Sequence, residues 1–299
     1  MRYSGFEAIL NRAKTLSRVK VAVAAAADQE VLEAVKLAQE AGFVEPVLVG
    51  QVERIEELAS QIGFNLQGAE LVNESNPEAA AHLAVDAVTE GRAHFLMKGL
   101  INTADFLKAV LRSERGLRTG RLLCHLAAFE VPGFPHLLFN SDGGINIAPD
   151  LEQKRQILHS SLDYLHSIGM ETVKVVALAA NEVPSPKMPA AMDAKALSEM
   201  AAAGEFPGAI VEGPLALDCA VSSAALAHKG IKSEINGDVD LLLTPTIEVG
   251  NALGKSLVYF AGATMAGIVL GAQVPIVLTS RSDAPRSKLM SFAMASLSR

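Results

Sequence analysis

Apolar positions along the first hundred residues alternate between two periods. Short runs rich in Val, Leu and Ala predict strands at Lys20–Ala27, Val44–Gly50, Glu70–Val72 and His94–Met97. Between them, stretches with apolar residues at helical spacing predict helices up to about Ala41, over Glu53–Ile62 and over Pro77–Gly91. An N-terminal helix is expected as well, because Phe6, Ile9, Leu10, Ala13 and Leu16 share one helical face. Strand and helix in strict alternation predict a parallel sheet with right-handed crossovers.

The pattern is less regular in the middle. Leu122–Phe129 and Leu137–Phe139 read as strands around a Val131-Pro132-Gly133 turn, close enough to form an antiparallel pair. A second α/β series follows. It has helices at Asp150–Ser167, Ala190–Ala203 and Cys219–His228, and strands at Lys174–Ala180, Gly208–Val211 and Asp240–Leu243. A helix from about Asn251, buried strands at Gly267–Leu270 and Ile276–Thr279, and a terminal helix complete the chain. This layout predicts two α/β lobes with ligands in a cleft beyond the carboxyl ends of strands.

Composition narrows the function. Half of the 299 residues are hydrophobic, enough for a sizeable core in two domains. Aromatic residues make up 5% with no Trp, and the formal charge is −7, which together argue against nucleic acid as a partner. Cys124 and Cys219 stand alone, without a CxxC or a disulfide framework, as expected in a reducing compartment. Arg12, Lys14, Arg18 and Lys20 before Val21–Ala27 imitate a secretion signal, but the apolar run is short and the preceding segment reads as a mature helix. The longest apolar region, Met265–Thr279, is interrupted by Gly267, Gly271, Gln273 and Pro275, so no membrane span is expected and the assignment is cytoplasmic.

Three stretches put glycines and polar residues at strand ends. In Lys98–Asp105 a Gly-containing turn leads to a helix opened by a hydroxyl, Thr103, whose N-terminal amides suit a phosphate, with Lys98 adding charge. An ordinary βα loop with Thr103 as a cap explains the same residues. In Asn140–Asp150, Gly143 and Gly144 permit close backbone approach, and Pro149-Asp150 suits a helix start. A plain Gly-rich turn is equally consistent with it. In Leu278–Lys288 a buried strand ends in Ser280 and Arg281, then turns into a helix capped by Ser282 or Asp283. Arg281 offers forked donors for phosphate, and Ser280 can donate to a developing oxyanion.

Several common chemistries lack their motifs. The chain has no GxxxxGK[ST], HExxH, GxSxG, or GxGxxG after its first strand. Its seven histidines show no ligand spacing, and the carboxylates do not cluster as a magnesium site requires, so no metal is expected.

Together these words resemble the phosphate butyryltransferases and, more distantly, the phosphate acetyltransferases, along nearly the whole chain. The resemblance is carried by Lys98-Gly99-Leu100-Ile101-Asn102-Thr103-Ala104-Asp105, by Gly116–Leu123, and by Asn146-Ile147-Ala148-Pro149-Asp150-Leu151-Glu152-Gln153-Lys154. Asn181-Glu182-Val183, Pro186–Pro189, Gly213–Asp218, Gly250-Asn251 and Thr279-Ser280-Arg281 extend it in the same order.

The resemblance implies two lobes of the isocitrate/isopropylmalate dehydrogenase type, residues 1–118 with 256–299 and residues 119–255, usually in a homodimer. It implies the reaction acyl-CoA plus phosphate giving acyl phosphate plus coenzyme A, through a ternary complex, with no tightly bound cofactor. Ser280 then donates to the oxyanion, Arg281 holds the phosphoryl group, and Lys98, Thr103, Lys108, Asn146 and Asn251 bind phosphate or coenzyme A. Two positions depart from the acetyl-specific branch. An Arg expected after the Thr-Ala-Asp word is Lys108 here, and the carboxylate that serves there as thiol base is replaced by Ser287, leaving Asp283 as the nearest candidate. A phosphate acetyltransferase, a non-catalytic regulatory module similar to the C-terminal domain of large malic enzymes, and a decarboxylating dehydrogenase of the same fold are the rival readings.

Overall fold

A computed structural model describes residues 1–278 and 284–298. The chain packs into two compact units, Phe6–Arg121 with Ala266–Arg299, and Met1–Gly5 with Leu122–Met265. Both are mixed α/β.

In the first of these units the strands β1 (Val19–Ala24), β2 (Val44–Gly50), β3 (Glu70–Asn73) and β4 (Phe95–Lys98) alternate with α2 (Gln29–Glu40), α3 (Val52–Gln61) and α4 (Pro77–Thr89). They align in parallel, β3-β2-β1-β4, with Val21 opposite Phe95 and Ala24 opposite Lys98. Apart from Lys20, every residue of β1 is buried, as helices on both faces of a parallel strand require. The helix starts are locally encoded: Asp28 caps α2, and Asn76 followed by Pro77 opens α4. α1 (Phe6–Thr15) buries Phe6, Ile9, Leu10 and Ala13, the face its spacing predicts. The chain returns through β10 (Thr264–Leu270) and β11 (Ile276–Val277), and β11 pairs in parallel with β4. α11 (Pro285–Leu297) closes the unit. The strand expected over Ile276–Thr279 is described only as far as Val277, and Thr279 lies outside the described residues.

The other unit begins with the antiparallel pair β5 (Cys124–Glu130) and β6 (Leu138–Ser141). Parallel strands β9 (Leu241–Leu243), β7 (Val173–Leu178) and β8 (Ala209–Leu215) continue the order β5-β6-β9-β7-β8. α6 (Leu151–Ser167) starts with a reciprocal cap between Asp150 and Gln153, and α7 (Pro189–Ala202) follows β7. Three elements differ here from what the sequence predicts. The helix expected over Cys219–His228 is two, α8 (Leu217–Val221) and α9 (Ser223–Lys229), because extended Ser222 interrupts it and caps the second. β8 runs four residues beyond Val211, through the Gly213-Pro214 pair to Leu215. α10 (Ile247–Ala261) begins four residues before Asn251, the buried Gly250 lying inside its first turns.

Candidate functional site

Two of the three strand-end stretches are described. At the first, β4 ends in half-buried Lys98, whose ammonium donates to Gly99 O at 3.2 Å and Ile101 O at 2.9 Å. Gly99 and Leu100 donate backbone bonds of 2.8 Å to Ala24 O and Ala25 O, so the turns after β4 and β1 are stitched together. Glycine is required at 99, since a Cβ there would lie 2.4 Å from both of those carbonyl oxygens. Ala25 takes a left-handed φ of 52° to complete the contact.

α5 (Thr103–Val110) follows. Its cap is Asn102 and not Thr103: Asn102 is extended and accepts from Asp105 N at 2.9 Å, whereas Thr103 is already the first helical residue. Asp105 also takes a hydrogen bond from the Asn102 carboxamide and an ion pair from Lys108 at 2.7 Å. These partners, Lys108 first, hold its carboxyl below the usual range. The side chain of Lys108 is 77% exposed.

The second stretch turns its amides inward. After a cis Ser141-Asp142 peptide, Asp142 is almost fully buried and accepts from Gly144 N at 2.7 Å and Ile145 N at 2.9 Å through Oδ1. Its Oδ2 accepts from His125 N at 3.1 Å, Asn146 N at 3.3 Å and Asn146 Nδ2 at 2.6 Å. A row of backbone amides of the kind that cradles external anions is therefore closed on an internal carboxylate. The other Asn146 amide hydrogen goes to Leu123 O at 2.8 Å. With acceptors on both sides of Nδ2, the orientation of this carboxamide is fixed, and Oδ1 is the atom it offers outward.

α10 packs directly on this loop. Thr244 Oγ1 donates to Asp142 O at 3.0 Å, Asn140 Nδ2 to Gly250 O at 3.0 Å, and Asn251 Nδ2 to Gly143 O at 3.2 Å. Gly143 and Gly250 meet backbone to backbone: a Cβ on Gly250 would lie 2.7 Å from Gly143 Cα and from Asp142 O. Asn146 and Asn251 are thus brought to one loop. Lys98 at the end of β4, Thr103 at the start of α5 and Lys108 in its last turn lie along one strand-to-helix segment of the other unit. Ser280, Arg281 and Asp283 lie outside the described residues.

No sequence signal assigned a role to Asp142, Asn140, Lys154 or the Glu182–Lys229 cluster. Lys154, 6% exposed on α6, donates to Asp193 of α7 at 2.6 Å. Only its place in the Asn146–Lys154 word hinted at importance. Glu182, Asp218 and Cys219 are the one trio of potential metal-ligating side chains among the described residues, with ligand atoms within 4.8 Å of one another. The Lys229 ammonium bridges the two carboxylates at 2.9 Å each and holds Glu182 below its usual range. A cation is already supplied there by the chain itself. Both cysteines are free and buried, and burial, helped by the charge of Asp142, pushes the Cys124 thiol up to about 12.

A large concavity in the 122–265 unit is apolar. About 440 Å³ opens where β7, β8 and β9 end, between Leu178 and Ala179, Met188 and Ala190 before and on α7, Leu217 on α8 and Val249 on α10. No helix among the described residues is long and apolar enough to cross a membrane.

An α/β protein whose glycine turns and helix starts lie at the ends of parallel strands is built for small ligands. The chain belongs to the phosphate acetyl/butaryl transferase family, whose model matches residues 5–81 and 74–296. Among its relatives, a phosphate butyryltransferase of Clostridium acetobutylicum is 44% identical over 98% of this chain and 97% of its own length. A phosphate acetyltransferase of Thermotoga maritima is 42% identical over 93% and 94%. A branched-chain phosphotransacylase from Enterococcus faecalis V583, known as a crystal structure, superposes with a TM-score of 0.84 at 34% identity, covering 94% of this chain and 98% of that one.

Proposed function

We propose that this chain is a phosphate acyltransferase that moves a short acyl group between coenzyme A and inorganic phosphate, with butyryl-CoA preferred to acetyl-CoA. The observation that carries the reading is end-to-end kinship with a phosphate butyryltransferase, 44% identical over 98% of the chain. Both substrates are consumed and regenerated, and neither is a resident cofactor.

In the proposed chemistry phosphate attacks the thioester carbonyl, or in reverse the coenzyme A thiolate attacks the acyl phosphate. Either route passes through an oxyanionic tetrahedral state. Ser280 donates to that oxyanion, Arg281 holds the phosphoryl group, and Asp283 takes the thiol proton. Lys98 contributes positive charge at the end of β4, where it is half-buried and so less screened than a surface lysine. Thr103 presents a hydroxyl and an N-terminal amide at the mouth of α5. Lys108, exposed beside Asp105, has the reach of a coenzyme A phosphate contact. Asn146 offers an acceptor, since both its amide hydrogens are engaged, and Asn251 joins it from α10.

The reading includes two lobes of the isocitrate/isopropylmalate dehydrogenase type, 1–118 with 256–299 and 119–255, facing each other across a cleft. It also includes a homodimer or higher homo-oligomer working in the cytoplasm. The separation of the chain into two compact units supports the lobes.

The test is thiol release from butyryl-CoA with and without phosphate. The expected result is release only when phosphate is added. A thioesterase releases thiol in its absence and a regulatory module releases none, so either outcome overturns the reading.

A further inference from the structure

We propose that the apolar hollow at the carboxyl ends of β7, β8 and β9 receives the acyl chain of the substrate and sets the chain length the protein accepts. This rests on the acyltransferase reading and adds a site to it. The hollow lies where three neighbouring parallel strands stop: Leu178 ends β7, Leu217 follows β8 by two residues, and Pro245 follows β9 by two. Ligands of open α/β sheets collect at such ends.

Its chemistry selects the occupant. Every lining side chain is Leu, Ala, Met, Pro or Val, with no charge and no side-chain hydrogen-bonding N or O. A phosphate, nucleotide or peptide backbone would lose its hydration there without replacement, at a prohibitive cost. A hydrocarbon chain loses nothing and gains burial. The volume, about 440 Å³, is of the size that holds small molecules and exceeds what a two-carbon acyl group fills.

One wall is also closely backed, as length selection requires. Leu178, Ala190 and Pro245 face the hollow on one side and a gap of about 10 Å³ on the other, too tight for more than one water. That gap is lined by the stem of Lys154, whose ammonium is locked to Asp193 at 2.6 Å, one turn of α7 beyond Ala190. The ion pair ties α6 to α7, so the Ala190 wall cannot retreat without breaking a largely buried contact.

Two substitutions change the space in opposite directions. Ala190→Leu adds bulk at a helical position that tolerates Leu, and Met188→Ala removes it. Each is compared with the parent for kcat/KM in phosphate-dependent thiol release from acetyl-, butyryl- and hexanoyl-CoA. Binding of the same thioesters is measured by calorimetry, and oligomeric state by sedimentation. Ala190→Leu is expected to lower kcat/KM for butyryl-CoA about tenfold or more while changing acetyl-CoA less than about threefold, and Met188→Ala to move the optimum toward hexanoyl-CoA. Equal losses on all three thioesters, or none, in folded variants overturn the proposal. So does a change in sedimentation with an unchanged chain-length ratio, which would mean that a second copy of the chain covers the hollow. If the parent shows no phosphate-dependent release, the acyltransferase reading fails, and the calorimetric ratios decide the pocket separately: a shift in the butyryl-to-acetyl ratio keeps it, and no shift removes it.

Discussion

The turns after β4 and after β6 look alike as sequences, each a polar glycine turn running into a capped helix, yet they handle charge in opposite ways. After β4 a cation, Lys98, is held by two carbonyl oxygens of its own turn and remains half-buried. After β6 an anion, Asp142, is sunk to 2% exposure and takes five hydrogen bonds from the turn and from β5. The first turn holds its charge against its own carbonyl oxygens at the end of a strand. The second uses its charge to hold a shape, and what it presents outward is the acceptor of Asn146. A glycine turn at a strand end is therefore not by itself an anion site, because the amides must also be free of an internal acceptor.

Removing the internal anion gives the largest expected effect. Asp142→Ala leaves three backbone amides of the turn, His125 N and the Asn146 carboxamide without their acceptor, around a side chain that is almost fully buried. A loss of about 3–5 kcal/mol in urea unfolding is expected. Asp142→Asn, which keeps one acceptor oxygen, should cost less. A stability within about 1 kcal/mol of the parent for Asp142→Ala would remove the contrast between the two turns, since the carboxylate would then not be what shapes its loop.

Lys98→Met tests the other side at smaller cost. The two carbonyls it leaves belong to buried Gly99 and Ile101, so about 1–3 kcal/mol of stability is expected to go. The kinetic effect should be larger, a rise of about tenfold or more in the KM for phosphate. A variant that loses stability but keeps the parental KM would make Lys98 a strut, and the two turns would then differ in sign only.

Most of the framework is legible in the chain because the physics that sets it is local. Apolar runs such as Val21–Ala27, alternating with amphipathic helices, suit strands covered on both faces in a parallel sheet, and Asp28, Asn76-Pro77 and Asp150 mark helix starts within a residue or two. Errors fall where a distant partner decides the local conformation. Gly250 precedes the helix expected from about Asn251, yet it lies inside α10, where glycine is needed because a side chain would strike Gly143, more than a hundred residues away. The strand expected over Gly208–Val211 runs on through Gly213-Pro214 to Leu215, which pairs with Leu178 of β7. Asp142 is invisible as a ligand for amides until its turn closes on it. The apolar hollow has no chemical motif, because it is made of ordinary apolar residues near the ends of three strands, and only their convergence gives it meaning.

The finest test of the contrast is Asn251→Ala, where stability and binding can be separated almost completely. Asn251 is exposed, and its one bond to the turn is a 3.2 Å contact with Gly143 O. Its loss should cost about 0.5–1 kcal/mol. The replacement also improves helix propensity within α10 by about 0.6 kcal/mol, which offsets most of that cost. Unfolding is therefore expected to move by no more than about 0.5 kcal/mol. If Asn251 is only a brace for the second turn, the kinetic constants should stay with the stability, unchanged. If it binds substrate beside Asn146, the KM for acyl-CoA should rise several-fold against an unaltered unfolding curve. A variant with parental stability and parental KM would take Asn251 out of the binding set and leave Asn146 as the outward acceptor of that turn.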